Sequence, residues 1–134
     1  MSGGAGRPAD ARRQRAEGHG RRAEMIAAWF LRRKFYRILA RRYRTPVGEI
    51  DLIARRGRTI VFIEVKRRPS EAEAIDAVTM KARRRIARAA ELWIAAQPAA
   101  ASFDQRFDVV IAVPRRLPRH LVGVFGQGGK SWPI

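Results

Sequence analysis

The chain contains no cysteine, so a disulfide framework, a thiolate zinc site and a cysteine nucleophile are all closed to it. Histidine is nearly as scarce. Only His19 and His120 occur, which excludes a multi-histidine metal centre. Long apolar runs are also missing. The longest near the start is Met25 to Leu31, far short of the ~20 residues that cross a bilayer. The arginine-rich beginning is not followed by the apolar stretch and cleavage site of a secretory signal. Acidic residues are few, 12 Asp+Glu against 29 Lys+Arg, which leaves a net charge of +17. These absences point to a soluble, cytoplasmic protein with no membrane partner. The 134 residues suit one ordinary domain, and the 46% apolar content is enough for a core, against global disorder.

The charge excess calls for a polyanionic partner. Cations set against phosphates release condensed counterions, so such binding is strong and salt-sensitive. Arginine supplies nearly all of it, since lysine occurs only at Lys34, Lys66, Lys81 and Lys130. The flat guanidinium fork suits bidentate phosphate contacts. Nucleic acid is therefore the expected partner. The competing reading is an arginine- and alanine-rich coding bias whose charge serves solubility alone.

Residues 1–20 are rich in Gly, Arg and Ala without periodicity and read as a mobile basic tail. A helix is expected from about Arg21 to Lys34, because Ala23, Ile26, Ala27, Phe30 and Leu31 form one apolar stripe. Phe35–Arg44, Gly48–Ala54 and Thr59–Lys66 read as strands. Arg55-Arg56-Gly57-Arg58 reads as a tight turn between the second and third, with Gly57 at positive φ. Glu71–Asp76 reads as an acidic loop. A second helix runs from about Ala77 to Gln97, stopped by Pro98. Its apolar stripe is Val78, Ala82, Ile86, Ala89 and Trp93. Arg106–Val113 is a buried strand, Leu121–Phe125 a short last one, and residues 126–134 a loose end. The order α-β-β-β-α-β(-β) implies an α/β fold, a mixed sheet flanked by helices, over residues 21–125.

Chemistry concentrates in the hairpin. Side chains alternate along a strand, so Glu49 and Asp51 share a face, as do Glu64 and Lys66. A loop centred on Arg56-Gly57 sets Glu49 against Glu64 and Asp51 against Phe62. Three carboxylates and one ammonium then project from one side of the sheet. A one-residue slip would set Ile50 and Leu52 beside Glu64 instead. Clustered carboxylates on an apolar strand repel and are costly to bury. A divalent cation relieves both penalties, and Mg²⁺ (or Mn²⁺) suits one or two carboxylates with phosphate and water. A neighbouring lysine can stabilise developing negative charge. A plain Glu64–Lys66 ion pair near the sheet end is the structural alternative.

Gly48-Glu49-Ile50-Asp51-Leu52-Ile53-Ala54 and Phe62-Ile63-Glu64-Val65-Lys66-Arg67-Arg68 closely resemble the paired motifs of the YraN-like family of uncharacterised bacterial proteins. Gly20-Arg21-Arg22-Ala23-Glu24 is similar to that family's opening helix and Ile38 to Arg44 to its first strand. Val78 with Lys81 and Arg106 to Val110 extend the match, which spans roughly Gly20 to Phe125. The family in turn resembles the restriction-endonuclease-like PD-(D/E)XK superfamily, which includes Holliday-junction resolvases. That resemblance implies a nuclease-like domain over 21–125. It implies Asp51 and Glu64 as metal ligands, Lys66 as catalytic lysine, Glu24 completing the site and Glu49 as a supporting ligand. Ile50 stands where the superfamily pattern has proline, and Phe35 where the YraN-like pattern usually has glycine.

Lys81, Arg84, Arg85 and Arg88 share one face of the second helix, for a phosphate backbone or simply for solvent. Asp108 beside Arg106 reads as a structural ion pair, Trp93 as core, and Trp29 as a core edge or a base-stacking ring. His19 and His120 receive no role. The expected function is Mg²⁺-dependent phosphodiester hydrolysis on structured or branched nucleic acid, with DNA favoured over RNA. The alternatives are a non-catalytic nucleic-acid-binding module of the same fold and a ribosome-associated basic protein. A homodimer is left open.

Overall fold

The computed structural model describes residues 8–125, and the side chains of residues 20–124. Helix α1 (Pro8–Arg33) precedes strands β1 (Arg37–Thr45), β2 (Gly48–Arg56) and β3 (Thr59–Arg67). Then come α2 (Glu71–Asp76), α3 (Met80–Ala96), a 3₁₀ turn (Pro98–Ser102), β4 (Asp104–Ala112) and β5 (Arg119–Phe125). The five strands form one sheet in sequence order. β1–β2, β2–β3 and β4–β5 are antiparallel, and β3–β4 is parallel. A parallel pair needs a long crossover, and α2 with α3 supplies it. The expected mixed sheet flanked by helices is the fold.

Several boundaries differ from the expectation. α1 starts at Pro8 rather than near Arg21, so residues 8–20, read as a tail, are helical. Proline is favoured in the first helical turn, and the Ala, Arg, Gln and Glu after it are strong helix formers that outweigh two glycines. Glu71–Asp76, read as a loop, is a helical turn capped by Ser70, whose hydroxyl accepts from the Glu73 N–H. The second long helix starts at Met80, because Thr79 caps it by accepting from the Ala82 N–H. The segment read as a loose end, residues 126–134, lies outside the described residues.

The sheet is buried on both faces. On one, Ile53, Ile60, Phe62 and Phe107 pack against Ile86, Ala89, Ala90 and Trp93 of α3. On the other, Leu52, Ala54, Val61, Ile63 and Val110 pack against Ala27, Ala28 and Leu31 of α1. The small alanines let α1 lie close to the sheet. At the start of β2, a Cβ on Gly48 would overlap the Arg85 backbone carbonyl. Only glycine lets β2 touch α3 there, and this contact fixes α3 relative to the acidic end of the hairpin.

Candidate active site

The hairpin turn is Gly57-Arg58, closed by the Arg56–Thr59 pair, with Gly57 at φ 60°. Glycine first in a two-residue loop is the usual solution for such a turn. The turn sits one residue later than expected, so the pairing is displaced by two: Ile53 faces Phe62 and Leu52 faces Ile63. A displacement of two preserves parity, so Asp51 and Glu64 still come together. Glu49 does not oppose Glu64, which corrects the expected register.

The ladder ends at Leu52–Ile63. Beyond it β2 and β3 part, and the Asp51 carboxylate takes the next backbone donor, accepting from the Val65 N–H at 2.7 Å. Ile50 and Ile53 both pack on the α3 side while Leu52 packs on the α1 side, so strict alternation breaks around Asp51. The fork opens a cavity of about 620 Å³ between the middle of α1 and the N-terminal half of α3. Glu24, Glu49, Asp51, Glu64, Lys66 and Arg85 all line it.

These residues are not equivalent. Asp51 and Glu64 are in side-chain contact, and the Asp51 carboxyl is pushed up to about 9. Burial is the main cause, followed by the Glu64 charge and the hydrogen bond to the Glu64 side chain; the Val65 N–H pulls the other way, and the Glu24 charge adds to the rise. The Asp51 carboxyl thus keeps its proton at neutral pH. Lys66 Nζ lies 2.9 Å from Glu64 Oε2, and both side chains are largely buried. Glu24 is held by Arg42, whose Nε donates to Oε1 at 2.8 Å. Arg42 has φ 50°, an unusual left-handed conformation within a strand. Glu49 stays exposed at the rim. Among the described residues, no three or more Asp, Glu or His side chains stand close enough to form a metal cluster. The expected three-carboxylate cluster is therefore a carboxylate pair, with Glu24 and Glu49 on the cavity wall.

The donor set still suits Mg²⁺ or Mn²⁺. Both are hard cations that take carboxylate oxygens and commonly use one or two protein carboxylates, completing the shell with phosphate and water. A protonated Asp51 would release its proton to a dication, which neutralises the acidic pocket better.

Beside the cavity lies a second groove of about 530 Å³, formed by Lys81, Arg84, Arg85 and Arg88 of α3 with Pro46 and Val47. Arg85 belongs to both depressions. The Thr45 hydroxyl accepts from the Val47 and Gly48 N–H groups and donates to the Gly48 carbonyl, which fixes this turn with Val47 exposed.

A second polar centre was not legible as such. Asp108 is fully buried. Arg106 grips it through Nε and a terminal nitrogen, both at 2.9 Å, and the Gly123 N–H donates to it at 2.9 Å. His120, expected in an exposed segment, is buried with Nε2 2.6 Å from Asp108. Lys34 Nζ lies 2.8 Å from His120 Nδ1. An ammonium only donates, so Nδ1 accepts and Nε2 carries the proton to Asp108. Burial alone would raise Asp108; the hydrogen bonds from His120, Arg106 and Gly123 and the Arg106 charge outweigh it and hold the carboxyl below its usual range. This network ties β4 and β5 to the end of α1. It explains why an acid stands on an apolar strand and confirms the structural Arg106–Asp108 pair. Trp93 is core as expected, while Trp29 is half-exposed with Arg33 stacked 5.3 Å above its ring.

No helix among the described residues is long and apolar enough to cross a membrane. The family model "Uncharacterised protein family UPF0102" matches residues 23–112. A UPF0102 protein of Chelativorans sp. (strain BNC1) is 51% identical over 113 residues, covering 84% of this chain and 91% of the relative. A UPF0102 protein of Rhizobium johnstonii is also 51% identical, over 84% of this chain and 93% of its own length. One from Nitrobacter winogradskyi is 53% identical over 103 residues, 77% of this chain and 87% of the relative. The matched span includes both hairpin acids, Lys66 and the basic helix, and the chain belongs to the UPF0102 (YraN-like) family.

Proposed function

We propose that the protein is a cytoplasmic, metal-dependent nuclease-like protein that hydrolyses phosphodiester bonds in structured or branched nucleic acid, DNA in preference to RNA. The observation that carries this reading is the contact between Asp51 and Glu64 at the strand fork, with Lys66 beside them and an arginine-lined groove adjoining. The resemblance to the PD-(D/E)XK superfamily supports the same assignment.

In this reading Asp51 and Glu64 hold the cation. When bound, it polarises a phosphate oxygen and lowers the pKa of a coordinated water. The Val65 N–H and the Glu64–Lys66 pair keep both carboxylates and the ammonium oriented before substrate arrives. The Lys66 ammonium supplies positive charge where the pentacovalent phosphorus develops negative charge. Water attacks the phosphorus and forms one P–O bond as the bond to the leaving oxygen breaks; the water's proton passes to solvent and the leaving oxygen takes one up. Glu24, positioned by Arg42, adds negative potential to the metal-facing wall. Lys81, Arg84, Arg85 and Arg88 align the backbone of the substrate.

The test is cleavage of linear, nicked and branched DNA, and of matched RNA, with Mg²⁺ or Mn²⁺. Metal-dependent cleavage is expected, reduced by on the order of 10²-fold or more in Asp51→Asn and Lys66→Ala. Cleavage of no substrate, or equal cleavage by the variants, overturns it. The ion pairs Arg42–Glu24 and Lys66–Glu64 satisfy two of the acids without a metal and favour one second reading, a nucleic-acid-binding module without turnover. Retained nucleic-acid affinity without metal uptake selects that module.

A further inference from the structure

The end of α1 carries an aromatic ring in an unfavourable place. The Tyr36 N–H donates to the Leu31 carbonyl and the Phe35 N–H to the Arg32 carbonyl, both at 3.0 Å. This paired cap forces the residue at position 35 into the left-handed region, where glycine is at ease and a residue with a Cβ is strained. Phe35 has φ 69°. Packing of the ring could offset such strain, but Phe35 is 86% exposed, more than any other large apolar side chain among the described residues.

The backbone beneath the ring is rigid. Tyr36 is buried in the α1-side core, and the Arg56 guanidinium lies 4.6 Å above its ring. Arg56 also donates to the Lys34 carbonyl at 3.3 Å, which pins the hairpin to the helix end. The surroundings are cationic. Arg32, Arg33 and Arg37 are exposed, and no acidic residue occurs between Glu24 and Glu49. A solvent-facing aromatic ring on a tied-down backbone, flanked by exposed arginines, is the pattern that stacks an unpaired base and holds its flanking phosphates. Backbone strain of this kind persists where the strained group is used.

We propose that Phe35 is a stacking platform for single-stranded nucleic acid, with Arg32, Arg33, Arg37 and Arg56 taking the flanking phosphates. It stands eleven positions after Glu24, about 16 Å along a helix, so the platform is distinct from the acidic cavity and needs no metal.

Fluorescence anisotropy with a labelled short oligothymidylate and a fully paired blunt-ended duplex, in EDTA, tests the platform apart from any cleavage. Phe35→Gly is expected to weaken oligothymidylate binding about tenfold. It should leave duplex affinity within about twofold and raise the melting temperature, because glycine relieves the strain. Phe35→Trp should bind at least as tightly as wild type. The platform is overturned if wild type does not bind oligothymidylate, or if Phe35→Gly binds it unchanged, which would leave the ring to a protein partner. Equal weakening toward both probes also overturns it. The raised melting temperature shows that a loss of affinity is not a loss of fold.

Discussion

The Asp51 carboxylate accepts the Val65 N–H at 2.7 Å, standing in for a ladder bond where β2 and β3 part. This contact sets both the position of the candidate site and its electrostatics. It satisfies a backbone donor that the fork would otherwise strand. It also holds Asp51 beside Glu64, where burial and then the neighbouring like charge keep the Asp51 carboxyl protonated.

That proton makes metal-free stability depend on pH. Asp51 titrates near 9 when folded against 3.8 when unfolded. Between those values the folded state holds a proton that the unfolded state has lost, so stability falls as pH rises from about 4 to about 9. Asp51→Asn keeps an acceptor for Val65 and offers Glu64 a donor. At pH 8 it is expected to be more stable than wild type by about 1–3 kcal/mol, with a flatter pH profile in urea denaturation.

Asp108 behaves in the opposite sense. Its carboxyl lies below 3.8 in the folded state, so its contribution is present above that value and is lost as acid protonates it. His120→Ala removes a buried partner of Asp108 and leaves Lys34 without its acceptor. A loss of about 2–4 kcal/mol is expected at neutral pH by chemical denaturation.

Gly48→Ala tests the seating of β2 on α3. The new methyl would overlap the Arg85 carbonyl, and backbone rather than a flexible side chain would have to yield. A destabilisation of about 2–3 kcal/mol is expected. Weakened nucleic-acid binding should accompany it, since Arg85 lines both the cavity and the basic groove.

The basic groove gives a salt signature. The log of duplex affinity should fall linearly with the log of salt, by about 0.9 per phosphate neutralised. Replacing Lys81, Arg84, Arg85 and Arg88 by alanine should lower affinity at low salt and make the slope shallower. An unchanged slope would show that these side chains face solvent only.

The sequence carried the strands, the mixed sheet and the meeting of Asp51 with Glu64, because period-two alternation and one glycine turn fix parity locally. Parity survives an error in the turn's position; register does not, and Glu49 accordingly fell outside the pair. The Arg42–Glu24 bond joins a helix to a strand through an unusual backbone angle, which no spacing reveals. His120 lies in a basic stretch whose pattern suggests exposure. Its burial follows from β5 closing over Asp108, a tertiary event. Residues 8–20 show no helical pattern because two glycines interrupt it, although propensity still supports the helix that forms there.

The most direct measurement is isothermal titration of the metal-free protein with Mn²⁺ and Mg²⁺. Uptake at a single site is expected, with proton release near neutral pH, abolished in Asp51→Asn and in Glu64→Gln while both variants remain folded. No uptake by wild type, or the same uptake by either variant, would contradict it.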